Sequence, residues 1–120
     1  MGVKINELGE FGLIDIISRN VPAHSNRVLK GIGDDAAVLK TDEGRLMLLT
    51  SDMLLEDVHF ALSYQPLKSV GWKSMAVNIS DIAAMGGQPA SAVVSIGIPA
   101  GWEADKIVEI YTGLSECALR

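Results

Sequence analysis

The sequence predicts an α+β fold in which a mixed sheet packs on helices. Three observations lead there. Two short apolar runs, Ala36 to Lys40 and Arg45 to Thr50, flank the turn signal Thr41-Asp-Glu-Gly44, which is the pattern of an antiparallel hairpin. Two stretches, about 67 to 84 and from about Glu103 onward, repeat apolar residues at helical spacing. Between them, Ala90 to Ile98 is a run of small and β-branched residues that predicts a long buried strand. A chain of 120 residues that is 48% hydrophobic can fill one small core, so a single domain is expected.

Taken in order, Leu8, Phe11, Ile14 and Ile17 stand at helical spacing and predict a short helix ending around Arg19. Residues 21–30, with Pro22, His24, Ser25 and Asn26, carry turn chemistry and no periodicity, which predicts a loop. Val28 to Ile32 can form a further strand. Pro66 suits the first turn of the helix that follows it, because its fixed φ is helical and its missing N–H is one the first turn leaves unbonded. That helix shows Leu67, Val70, Gly71, Met75, Ile79, Ile82 and Ala83 as its core face, and Met85-Gly-Gly87 supplies its stop. Ile107, Ile110, Tyr111, Leu114 and Ala118 give the last helix an apolar face, still running where the sequence stops at Arg120. That ending is expected of one part of a larger protein.

Charge narrows the function. Ten basic against fifteen acidic residues, with no Lys/Arg run, argue against a nucleic-acid partner and favour metals over phosphate backbones. No apolar run approaches the ~20 residues that span a bilayer, and the N-terminus lacks signal-peptide character, so no membrane partner and a cytoplasmic location are expected. Cys117 stands alone, which excludes an internal disulfide and a cysteine zinc site and makes it a packing residue.

The chemistry gathers around Leu46-Met-Leu-Leu-Thr-Ser-Asp52, a strand whose C-terminal end delivers three oxygen-bearing residues, Thr50, Ser51 and Asp52. Gly31-Ile-Gly-Asp-Asp-Ala-Ala37 precedes it, and Asn78-Ile-Ser-Asp81 follows it near the end of a helical pattern. Carboxylates collected from separate elements repel one another unless a cation neutralises them, and oxygen ligands suit a hard ion such as Mg²⁺. Of the pair Asp34 and Asp35, alternation along an extended segment turns only one inward, and Asp35 is chosen. Asp81 sits where the helix dipole does not favour a carboxylate, so it needs another partner. By themselves the glycines and aspartates of 31–35 are most simply a turn, and with no third glycine and no Lys-Ser/Thr they form neither dinucleotide nor P-loop fingerprint. His59 and Tyr111 read alone as an ordinary histidine and a core aromatic, and Trp72 and Trp102 as packing or edge aromatics.

In combination the picture changes. Gly33-Asp-Asp-Ala-Ala37, Thr50-Ser-Asp-Met-Leu-Leu-Glu-Asp-Val-His-Phe60 and Gly71-Trp-Lys-Ser-Met-Ala-Val-Asn-Ile-Ser-Asp-Ile-Ala-Ala-Met-Gly-Gly87 resemble, in order and spacing, the N-terminal domain of thiamine-monophosphate kinases. Glu7-Leu-Gly-Glu-Phe-Gly-Leu-Ile14 resembles that family's opening segment. The third motif is shared across the aminoimidazole ribonucleotide synthetase-like superfamily, which also includes selenophosphate synthetase, and Met53 to Phe60 resembles the kinase branch.

The resemblance implies transfer of the ATP γ-phosphoryl group to thiamine monophosphate, giving thiamine diphosphate. It implies Mg²⁺ ligands at Asp35, Asp52 and Asp81 with auxiliary oxygens from Thr50 and Ser51, a substrate contact at His59 and a nucleotide contact at Tyr111. It further implies a homodimer formed through the sheets, an expectation that the apolar character of 46–50 and 92–98 supports, since one layer of helices covers one sheet face. The family's Gly-Gly-Asp segment and second α/β domain do not occur in these 120 residues. Residues 1–120 are therefore expected to be an ATP/Mg²⁺-binding and dimerisation domain, incomplete at its C-terminal end, and another ATP-using enzyme of the superfamily or a non-catalytic dimerisation module stays open.

Overall fold

In the computed structural model, which describes residues 2–21 and 26–120, the expected hairpin forms from β2 (Ala37–Lys40) and β3 (Leu46–Leu49). Ala37 faces Leu49 and Lys40 faces Leu46. The turn closes through Thr41, whose N–H and Oγ1 both donate to the Arg45 carbonyl, at 3.1 and 2.8 Å. Outside it, β1 (Val28–Lys30) pairs antiparallel with β2 through a register irregularity, so the sheet order is β1-β2-β3. Both pairings are antiparallel, where a mixed sheet was expected. The α+β class stands.

The chain divides into two compact units, Met1–Leu49 and Thr50–Arg120. The first holds α1 (Ile5–Asn20) and the sheet. The predicted helical spacing is real, but Gly9 at φ 72° and ψ 177° interrupts the helix, a left-handed position open to glycine. None of α1 is buried, and Phe11 is 84% exposed, so its apolar stripe faces no core among the described residues. In this unit Ala36 and Val38 are the buried apolar residues. Part of the expected loop, including His24, lies outside the described residues.

The second unit is built on α2 (Leu67–Ala84) and α3 (Ala104–Ala118). Pro66 occupies the N-cap, one position before the first turn where it was expected, and its carbonyl accepts from the N–H groups of Ser69 and Val70. At the other end Gly87 N donates to the Ile82 carbonyl at 3.0 Å and Gly86 N to the Ala83 carbonyl at 2.9 Å, with Gly86 at φ 75°. This is the Schellman termination that Met85-Gly-Gly87 predicts.

Two glycines bring α2 and α3 together. A Cβ on Gly71 would lie 1.9 Å from the Ile110 carbonyl oxygen, and one on Gly113 would lie 1.9 Å from the Lys68 carbonyl oxygen. Each helix thus presents a bare backbone where the other crosses. Val70, Gly71, Gly113, Leu114 and Cys117 are buried along this seam, and Lys68 Nζ meets Glu116 Oε1 at 3.0 Å beside it. Cys117 is the packing residue the sequence predicts.

One element is corrected. Ala90 to Ile98 is neither strand nor buried: it is irregular throughout, and Val93 is fully exposed. Apolar, β-branched composition makes a strand possible, but a strand exists only when a neighbour accepts its ladder hydrogen bonds. No such neighbour is found among the described residues.

Candidate functional site

Thr50, Ser51 and Asp52 directly follow β3 and open the second unit. Asp81 comes from the last turn of α2. Folding brings the Asp81 carboxyl into hydrogen-bonding contact with both Asp52 and Thr50. Asp81 is half-buried, and its carboxyl is pushed above the ordinary carboxylate range, first by burial, then by the hydrogen bond with Asp52 and by the Asp52 charge. The Thr50 hydroxyl opposes the rise by hydrogen bonding to the ionised form. This is the other partner that Asp81 was expected to need.

Two carboxylates that share a hydrogen bond must share a proton or hold a cation between them. The donor set consists of hard oxygens, which fits Mg²⁺ and suits neither zinc nor a soft metal. Ser51 is the exposed neighbour between Thr50 and Asp52. Asp35 belongs to the other unit, on the loop before β2, where the Asp34 carboxylate accepts from Asp35 N at 2.8 Å and from Lys30 Nζ at 3.2 Å. Among the described residues, no three of His, Cys, Asp and Glu converge on one point, and the candidate site consists of Asp52, Asp81 and the Thr50 hydroxyl.

A few residues after Asp52 the chain folds into a tight turn at 55–60 that periodicity does not predict. His59 Nδ1 accepts from Leu55 N at 2.8 Å, while His59 N donates to the Leu55 carbonyl at 2.9 Å. Asp57 takes a left-handed φ of 63° and its N–H donates to the Phe60 carbonyl at 2.6 Å. Lys73 Nζ, from the first half of α2, donates to the His59 carbonyl. Sequence reasoning passes over Lys73, although a lysine within the Gly71-to-Gly87 motif was there to be noticed.

Asn78 Nδ2 donates back to the Ser74 carbonyl at 2.8 Å, so its amide hydrogens are partly used within the helix. Tyr111 is not the core aromatic its position on α3 suggests. It is 42% exposed and lies in an open groove of about 660 Å³ with Ile107, Val108, Thr112, Ser115 and Leu119. The helix buries Leu114 and Cys117 against α2, which turns Tyr111 outward. Trp102 and Trp72 are half-buried edge aromatics, with Lys106 4.9 Å and Arg120 5.3 Å from their ring centres.

An α+β chain whose carboxylate pair is assembled from a strand end and a helix end defines a class, and sequence comparison identifies it. Residues 33–120 match the AIR synthase related protein, N-terminal domain, and the chain belongs to that family. It is similar to thiamine-monophosphate kinases: 43% identical over 111 residues to that of Bacillus subtilis (strain 168), covering 92% of this chain and 34% of the relative. Against that of Aquifex aeolicus (strain VF5) it is 42% identical over 112 residues, covering 93% of this chain and 34% of the relative. A solved structure, AaThiL complexed with AMPPCP and TMP, superposes with a TM-score of 0.84 at 37% identity, covering 99% of this chain and 36% of that one. The chain thus spans about a third of the length of the curated relatives it matches. No described helix is long and apolar enough to cross a membrane.

Proposed function

We propose that this chain is the N-terminal part of a kinase that transfers the γ-phosphoryl group of ATP to the phosphate of thiamine monophosphate, giving thiamine diphosphate and ADP. The observation that carries this reading is the contact of Asp81 with both Asp52 and Thr50, within motifs that resemble those of thiamine-monophosphate kinases. The similarity to AaThiL complexed with AMPPCP and TMP supports the two substrates.

Both reactants are anions, so the reaction requires charge neutralisation and in-line placement more than covalent chemistry. Asp52, Asp81 and Thr50 would hold Mg²⁺, with Ser51 as a further oxygen ligand. The ion, when bound, supplies positive charge to the phosphate oxygens. Its charge would favour the ionised form of Asp81 beside Asp52. His59 contacts the acceptor, and Tyr111 contacts the nucleotide from its exposed place on α3. We further read the protein as cytoplasmic, which its reduced, buried Cys117 suits.

The same reading includes a homodimer. Leu46, Met47 and Leu49 on β3 and Val93, Val94, Ile96 and Ile98 in the irregular segment are exposed, which is costly for apolar side chains unless a second copy covers them. Sedimentation equilibrium checks this: a species near twice 12.8 kDa supports the dimer, and a monomer at all concentrations refutes it. For the reaction itself, the native gene product should form thiamine diphosphate from ATP and thiamine monophosphate only in the presence of a divalent cation. ATP consumption without thiamine diphosphate formation would disprove the acceptor.

A further inference from the structure

Lys73 Nζ ties the turn at 55–60 to α2 by donating to the His59 carbonyl. Within the turn, His59 is held to Leu55 through both its backbone and its ring. Its N–H donates to the Leu55 carbonyl, and its ring Nδ1 accepts from the Leu55 N–H. A neutral imidazole that accepts at Nδ1 carries its proton on Nε2, so the outward face of the ring is a hydrogen-bond donor. A donor there matches a phosphate oxygen, and to an anion such a bond is charge-assisted.

Lys73 and Asp81 share one helix, eight residues and so roughly 12 Å apart along its axis. That helix therefore sets both where the carboxylate pair lies and where the His59 turn is fastened. The left-handed Asp57 within the turn is a conformation that surrounding contacts must sustain.

We propose that Lys73 is a positioning residue for the acceptor: by pinning the His59 carbonyl to α2 it presents His59 Nε2–H to an acceptor-phosphate oxygen. This rests on the kinase reading and deepens it. Lys73 itself needs no contact with either substrate.

The test uses the native gene product and four variants, with steady-state kinetics for each substrate and hydrogen exchange at the Leu55 amide. K73M should raise the KM for thiamine monophosphate about tenfold, the scale of one charged hydrogen bond, with the KM for ATP nearly unchanged and faster exchange at Leu55. K73R should restore both readouts. His59→Asn places an amide oxygen near the Nδ1 position, so it should retain Leu55 protection yet lose acceptor affinity. His59→Gln places its amide nitrogen near Nε2 and should retain more acceptor affinity than His59→Asn while losing the protection. Unchanged acceptor KM in K73M, or equal losses for ATP and acceptor, overturns the role of Lys73 while the kinase reading stands. Failure of the wild-type protein to use thiamine monophosphate at all overturns both.

Discussion

Two aspartates, Asp34 before β2 and Asp81 at the end of α2, respond to folding in opposite directions. Asp34 is held below the ordinary carboxylate range, first by the Asp35 N–H, then by the Lys30 hydrogen bond and charge, with a small opposing effect of burial. Asp81 is held above it by burial and by Asp52. Folding gives Asp34 the partners its charge wants, whereas it gives Asp81 a like charge. The first arrangement shapes a loop. The second leaves an electrostatic demand that a proton or a cation would meet, and on the proposed reading that cation is Mg²⁺.

The sharpest way to break the contrast is Asp81→Asn. In the native gene product it should lower turnover by roughly 100-fold or more at limiting Mg²⁺, the scale seen when a preorganised electrostatic group is removed. Asp34→Asn should leave turnover near wild type. Equal losses in the two variants, measured in one coupled assay, would erase the distinction.

A structural control follows in size. Gly113→Ala forces a Cβ onto the Lys68 carbonyl at 1.9 Å, so the helix seam must open, at a cost of about 1–3 kcal/mol or more. Chemical denaturation should show the loss. This variant should lose stability with or without Mg²⁺, whereas Asp81→Asn should lose only the stabilisation that Mg²⁺ adds. A Gly113→Ala protein as stable as wild type would show that the two backbones do not meet.

The pH dependence is smaller and separates the two aspartates by sign. Asp81 binds its proton more tightly folded than unfolded, so its contribution to cation-free stability is full below the ordinary value of 3.8 and is lost as pH rises through its raised pKa. Asp34 binds its proton less tightly folded, so its contribution is present above 3.8 and is lost as pH falls through its lowered pKa. Thermal melts of Asp81→Asn without Mg²⁺ should therefore lie above wild type once pH exceeds that raised pKa, and melts of Asp34→Asn slightly below wild type at neutral pH. Melts that shift the same way would contradict the assignment.

The smallest expected effect is that of Mg²⁺ on Asp52→Asn and Asp81→Asn melts. Mg²⁺ should raise the melting temperature of wild type, and each variant should lose that rise, because a lone carboxylate is a weak ligand set. A full Mg²⁺ response in both would move the cation elsewhere.

What the sequence determined by itself is what local chemistry encodes. Thr41-Asp-Glu-Gly44 made the hairpin, because its turn bonds lie within five residues. Pro66 and Met85-Gly-Gly87 bounded α2 for the same reason. Thr50, Asp52 and Asp81 could be singled out because like charges without basic partners are conspicuous in any order. Tertiary structure decided whatever depends on a distant partner. It left Ala90 to Ile98 without a ladder, turned Tyr111 outward, and left α1 without a buried face. It also drew the backbones of α2 and α3 together at Gly71 and Gly113, and fastened His59 to Lys73 across fourteen residues. Periodicity shows that a face is apolar or a side chain is charged, but what meets it is set by packing, and packing is a property of pairs of elements that no single stretch of sequence contains.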